Sequence, residues 1–307
     1  VAENVIISGT VASNNITSGD KTISFIAGNT VSTANTTIAV SQTSVTADGS
    51  SSSVISVQAK DNFNNDITSG GLSIALADDG SATISPVTDH GDGSYSATIS
   101  SIVAEDVQIS GTIAGSDITS GNKTISFTPG AVSAVNTTIS VSPASLTADG
   151  SATSTVTVQA KDAQGNNLTS SAGLVTLAED SDSANLSGVT NHNDGSYSAT
   201  ITNTVAENVI ISGNIAGSSI SSGNQTITFT PGAVSTANTT ISASPTSVTA
   251  DGLSQSTLTV QAKDARGNNL NSSAGIVALT EDSATATLSA VTDNNDGTYS
   301  ATISNTV

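Results

Sequence analysis

At 307 residues, with 36% hydrophobic and 2% aromatic side chains and no Cys, Met or Trp, the chain must build its core from Val, Ile, Leu and Ala. The lack of cysteine excludes disulfide staples, thiol catalysis and cysteine-ligated metals. A formal charge of −19, from 25 acidic and 6 basic residues, repels nucleic acid and anionic membrane while keeping a long molecule soluble.

The chain repeats itself. YSATIS at Tyr95 returns as YSATIT at Tyr197 and YSATIS at Tyr299, and VAENVIISG at Val1 returns as VAEDVQISG at Val103 and VAENVIISG at Val205, so the period is 102 residues. Val307 opens a fourth copy. One period is the size of a small domain, and near-identical copies have little room to acquire separate chemistries. A structural spacer is therefore expected, and an enzyme is not.

Within the second copy the predicted strands, in chain order, cover 137–141, 155–161, 174–177, 184–189, 196–201, 209–212 and 225–229. Each alternates apolar and polar residues; in 155–161, Val156, Val158 and Ala160 share one face, as in a half-buried antiparallel strand. Ala148-Asp149-Gly150, Asp162 to Asn167, Asn193-Asp194-Gly195 and Ser222-Gly223-Asn224 separate them with turn chemistry that tolerates positive φ. No helical periodicity of useful length intervenes. The expectation is all-β: tandem immunoglobulin-like sandwiches of about seven strands, up-and-down in order, set end to end as a rod.

The stretch PGAVSAVNTT from Pro129 to Thr138 reads as a linker, with similar stretches near Gly28 and Pro231. Boundaries there make 1–34 the last two strands of a preceding domain, 35–135 and 136–237 whole domains, and 238–307 the first five strands of another. Open edges at both pieces should pair with another chain, 5–8 and 22–25 docking on a neighbour's strands after 238. No run approaches the roughly 18 apolar residues of a membrane span, and a basic-then-apolar leader is not at the N-terminus, so an export signal or anchor is expected outside this window.

TTISVSPASLTADG (137–150), TVTVQAKDAQGNN (155–167) and ANLSGVTNHNDGSYSATIT (184–202) together resemble the bacterial immunoglobulin-like domains of invasin and intimin-type adhesins, and every copy carries the pattern. The resemblance implies an extracellular, cell-surface stalk that holds an adhesive tip away from the cell. The chain is also similar to the extender repeats of giant bacterial adhesins, some of which bind calcium between domains. Rival readings are a subunit of a self-assembling filament or surface layer, and an accessory module of a secreted polysaccharide-degrading enzyme. The scarcity of aromatic residues counts against the last.

No catalytic set emerges. His90 and His192 share a repeat position that is Asn294 in the third copy, as suits a solvated turn residue and not a zinc or catalytic histidine. Lys60, Lys161 and Lys263 recur beside acids, but alternation turns Lys161 outward, away from an isopeptide staple. Asn35, Asn136 and Asn238 lie in Asn-x-Thr sequons and read as surface polarity, while Tyr95, Tyr197 and Tyr299 read as core or corner residues.

The acids are the candidate metal ligands. Strands that alternate ends place Asp149, Glu179, Asp180 and Glu207 at the pole of the second domain nearest the next, where Asp264 and Asp296 of that next domain should face them. In the same way Asp48, Asp78, Asp79 and Glu105 should face Asp162 and Asp194. Carboxylates so gathered repel unless a hard cation such as calcium takes six to eight of their oxygens. Calcium is thus the one cofactor to consider, and the partners expected are neighbouring repeats and other copies head to tail, with neither nucleic acid nor membrane insertion.

Overall fold

The computed structural model describes residues 2–307, and among them no helix forms. The residues separate into two compact units, one running to Ser133 and including Lys161–Leu168, the other comprising Ala134–Ala160 and Thr169–Val307.

In the first unit, β1 (Asn4–Ile7), β2 (Thr10–Val11), β3 (Asn14–Asn15) and β4 (Lys21–Ser24) form a hairpin in which β1 pairs with β4 and β2 with β3. Then follow β5 (Thr37–Val40), β6 (Ser44–Thr46), β7 (Ser53–Gln58), β8 (Ile74–Asp78), β9 (Thr83–Ile84), β10 (Thr88–Asp89), β11 (Ser94–Ser100), β12 (Asp106–Ile113), β13 (Ser116–Asp117) and β14 (Lys123–Thr128). One sheet is ordered β10-β11-β7-β5 with β9 also on β11; the other is β13-β12-β14-β6 with β8 also on β12. Alternation does the sorting: Ile38, Ile55, Val57, Tyr95 and Ile99 from the first sheet meet Val107, Ile109, Ile113, Ile125 and Phe127 from the second in one buried cluster.

The second unit repeats the plan with β15 (Thr138–Ser142), β16 (Ser145–Thr147), β17 (Ser154–Gln159), β18 (Val175–Glu179), β19 (Ala184–Leu186), β20 (Thr190–Asn191), β21 (Ser196–Asn203), β22 (Asn208–Ile215), β23 (Ser218–Ser219) and β24 (Gln225–Thr230). Its sheets are β15-β17-β21-β19, with β20 on β21, and β16-β24-β22-β18, with β23 on β22. Finally β25 (Thr240–Ser244), β26 (Ser256–Gln261), β27 (Ala286–Leu288), β28 (Thr292–Asp293) and β29 (Thr298–Asn305) make a single sheet, β25-β26-β29-β27 with β28 on β29.

The predicted strands recur with small shifts, but the up-and-down order needs correcting. The first strand of each sandwich is split: β5 and β15 lie in one sheet, whereas β6 and β16, begun after a break of two or three residues, cross to the other and pair parallel with β14 and β24. A three-residue strand such as Ser145–Thr147 is too short for alternation to reveal, and its partner lies some eighty residues downstream.

Tyr197 is buried; its Oη accepts the Ala172 N–H at 2.7 Å and donates to the Gly173 carbonyl at 3.1 Å, pinning the crossing loop to the core. Tyr299 does the same with Ala274 and Gly275, and the Tyr95 hydroxyl accepts from Leu72. The tyrosines are corner residues, as the sequence suggested.

Candidate aspartate–asparagine latch

After β7, β17 and β26 the chain turns through Lys60-Asp61-Asn62-Phe63-Asn64-Asn65, Lys161-Asp162-Ala163-Gln164-Gly165-Asn166 and Lys263-Asp264-Ala265-Arg266-Gly267-Asn268. The turn needs a left-handed residue at its fourth loop position after the lysine, and Asn64, Gly165 and Gly267 adopt it at φ of 65°, 90° and 86°. This geometry lets the aspartate fold back on its own loop. Asp162 Oδ1 accepts the N–H groups of Gln164 and Asn166 at 2.9 and 2.8 Å, while Oδ2 accepts the Asn166 amide at 2.9 Å and the Gly130 N–H at 3.0 Å. Asp264 repeats the pattern with Arg266, Asn268 and Gly232, and Asp61 with Phe63, Asn65 and Gly28.

All three aspartates are buried. For Asp61 the Asn65 amide, then the Gly28 N–H, hold the carboxyl well below the usual range. For Asp162 and Asp264 burial is the largest single influence and pushes upward. The converging donors of Asn166 and Gly130, and of Asn268 and Gly232, together outweigh it, so both stay ionised below the usual carboxylate range.

The asparagine that steadies each aspartate also reaches a segment some sixty residues earlier in the chain. Asn166 Oδ1 accepts the Ala104 N–H at 3.0 Å and its Nδ2 donates to the Ile102 carbonyl at 2.9 Å, all within the first unit. Within the second, Asn268 holds Ala206 and Thr204 in the same way, each at 3.0 Å. Asn65 accepts the Ala2 N–H at 2.8 Å. The segments so held carry the chain from one sheet to the facing one, from β11 to β12 and from β21 to β22, and the aspartate meanwhile holds the glycine that follows β4, β14 or β24. Asparagines of the sequons complete the loop from behind: Asn35 and Asn238 donate to the carbonyls of Asp61 and Asp264, each at 2.9 Å. One residue departs from the pattern at the third latch, where the Arg266 guanidinium donates to the Asp149 carbonyl at 2.5 Å.

The remaining acids named from the sequence occupy turns. Asp48 and Asp149 cap their own loops through the N–H groups of Ser50 and Ser51, and of Ser151 and Ala152. Asp194 and Asp296 do so through Ser196 and Thr298. Asp78 accepts from Gly80, while Asp79 and Asp180 accept the backbone N–H of Gln108 and Ile210, each at 2.7 Å. Glu179 and Glu207 are brought to one residue, Ser181, and Glu105 to Ser81. Among the described residues no three of these acids gather into one group. His90 and His192 bond Ser96 and Ser198 at 2.9 Å on exposed turns, and Asn294 reaches Thr298 where they would stand. Lys60 pairs with Asp66 at 2.6 Å.

Sequence reasoning saw these loops as turns and overlooked their role. The available signal was the Asp-x-x-x-Asn spacing, kept in all three copies while the residues between change from Asn-Phe-Asn to Ala-Gln-Gly to Ala-Arg-Gly.

Comparison with known proteins agrees with this architecture. The structure of FdeC, an Escherichia coli adhesin, aligns over 92% of this chain and 91% of its own with 24% identity and a TM-score of 0.56. InvD of Yersinia pseudotuberculosis aligns over 90% and 82%, with 25% identity and a TM-score of 0.52. Invasin, a bacterial integrin-binding protein, aligns over 86% of this chain and 62% of its own, with 19% identity and a TM-score of 0.50. The family described as Invasin, domain 3, matches residues 32–130, 133–232 and 235–307, so that nearly the whole sequence is accounted for, and the chain belongs to that family.

Proposed function

We propose that the chain is a stalk segment of an extracellular bacterial adhesin, giving reach and stiffness, with 35–135 and 136–237 as its whole immunoglobulin-like domains. The observation that carries this reading is the latch, present three times with the same aspartate, asparagine and glycine. A buried, ionised side chain bonded to four or more donors resists bending far better than a solvated linker, since every donor must be released together. Family membership supports a cell-surface setting, and of the similar proteins FdeC is an adhesin and invasin an integrin-binding protein. In this reading the partners of each repeat are its neighbours, and chemistry at a tip belongs to other parts of the protein.

Residual dipolar couplings on the chain test it. Sandwiches joined through an intact latch should share one alignment frame, and Asn166→Ala with Asn268→Ala should give each its own frame while leaving its internal couplings unchanged. Independent frames already in the unaltered chain would refute the stiff stalk.

A further inference from the structure

Each complete sandwich carries a hollow on the outer face of its second sheet, and strand register builds it. Along β12 the outward residues Ser110 and Thr112 pair with Ala77 and Ala75 of β8, and on its other side Thr112 pairs with Asp117 of β13. Ile118 stays buried and its N–H bonds the Gly111 carbonyl at 2.9 Å, after which residues 119–121 loop out of the sheet, with Gly121 at a φ of 114°. The chain returns at Asn122, one residue before Lys123 pairs with Ile109. The excursion brings Asp117 and Asn122 to the same rim, above a floor of short side chains, around a hollow of about 320 Å³. The second sandwich repeats the construction: Asn214 lies between Thr176 and Ser219, Ser212 pairs with Ala178, and Asn224 completes the rim of a hollow of about 340 Å³. Both volumes lie at the lower end of the range for small-molecule sites, roughly 300–1,000 Å³.

The rim varies in sequence but keeps its chemistry. Thr112 becomes Asn214 and Asp117 becomes Ser219, while Ser110 and Asn122 return as Ser212 and Asn224. All but the Asp117 carboxylate combine a donor with an acceptor. Little of that capacity is used inside the protein. Asn122 Nδ2 donates to Gln108 Oε1 at 2.9 Å, which leaves its Oδ1 open. With Ile210 in place of Gln108, the Asn224 side chain has no protein partner among the described residues, and neither has that of Asp117 or Asn214. The floor is apolar, with Ala77 and Ile118 lining the first hollow and Ala178 and Ile220 the second. A ligand suited to both presents hydroxyls along its edge and C–H groups on its face. It is also uncharged: a cation would find a carboxylate at Asp117 and none at Ser219, and an anion would meet Asp117 on a chain of formal charge −19. A sugar ring in its pyranose form meets both conditions.

We propose that the two hollows are matching subsites for a neutral hexopyranose residue of a glycan. The Asn122 and Asn224 amides and the side chains of Thr112 and Asn214 bond the ring hydroxyls, and the C–H face of the ring lies toward Ala77 or Ala178. Aromatic side chains make up 2% of the chain and none lines either hollow, so a single subsite has no stacking platform and binds weakly. Recurrence at an interval of 102 residues offsets this weakness, because a surface bearing many copies of the sugar meets several subsites of one chain together. The inference rests on strand register and on the lining of the hollows, and it is independent of the stalk reading.

The test is a heteronuclear NMR titration of the 307-residue chain with glucose, galactose and N-acetylglucosamine, each taken into the tens of millimolar, with calcium chloride as a separate arm. With at least one sugar, the backbone amides of 110–112 and 117–122, and those of 212–214 and 219–224, should shift saturably. Ala77→Leu/Ala178→Leu fills both floors from positions already exposed, so circular dichroism should be unchanged and binding weakened by roughly tenfold or more. Asn122→Ala/Asn224→Ala, also at exposed positions, should weaken it several-fold. The proposal is overturned by the absence of saturable shifts with all three sugars, by shifts scattered outside the hollows or confined to one of them, or by sugar binding that survives unchanged in both variants. Saturable shifts with calcium around Asp117 and none with any sugar would make the first hollow a cation site and overturn it equally.

Discussion

Asn166→Ala isolates the latch. The side chain makes a part-buried bond from the Ala104 N–H, a part-buried bond to Asp162 and an exposed bond to the Ile102 carbonyl. A net hydrogen bond contributes about 1 kcal/mol, and water replaces most of an exposed one, so the two part-buried bonds set the local loss at about 2 kcal/mol. At 1.4 kcal/mol per factor of ten, the opening equilibrium at Ala104 should rise about 30-fold. Amide hydrogen exchange reads this directly, because the Ala104 N–H has Asn166 as its acceptor while nearby N–H groups such as those of Phe127 and Ile118 bond to backbone carbonyls. The expected result is a loss of protection confined to Ala104 and the 161–168 loop, with the β12–β14 ladder unchanged. Unchanged protection at Ala104 would show that the asparagine is not what holds this segment. A uniform loss across β7, β11 and β12 would make Asn166 a general stability residue and not a latch.

Asp61, Asp162 and Asp264 have folded pKa values depressed below the unfolded value of about 3.9, so their contribution is complete above that pH and is lost as pH falls through the folded values. Melting midpoints followed by circular dichroism should therefore be flat in this respect from about pH 5 to 8 and fall below about pH 4; a decline beginning near neutrality would contradict it. Tyr197→Phe removes the acceptor of the part-buried Ala172 N–H and the donor to Gly173, at about 1–3 kcal/mol, and should lower the midpoint of its sandwich by several degrees. Calorimetry showing no shift would mean water satisfies both groups. Because Asp149, Asp162 and Asp264 already accept several hydrogen bonds each, melts in calcium and in chelator should coincide; a calcium-dependent rise of several degrees would place a cation at the junctions.

The strands and turns were legible because alternation and turn chemistry are local: Val156, Val158 and Ala160 point inward in the structure as their spacing requires, and Gly150, Asn193 and Gly195 take the positive φ expected of them. The latch was half legible. Asp162 and Asp264 stood out as acids, but their asparagine partners looked like ordinary turn residues, since the groups they hold lie some sixty residues away and are backbone atoms that leave no mark on composition.

By itself the sequence determined the all-β class, the 102-residue repeat and the face each side chain presents, all consequences of a two-residue period and of which residues tolerate a left-handed turn. The tertiary structure alone decided which sheet the short β6 and β16 join, which backbone groups the latch grips, and whether an inward face is covered. Ile38, Ile139 and Ile241 occupy the same place in the same motif, yet only the first two are buried. Orientation is set by neighbours along the strand, whereas burial depends on a facing sheet contributed by residues far away in the chain.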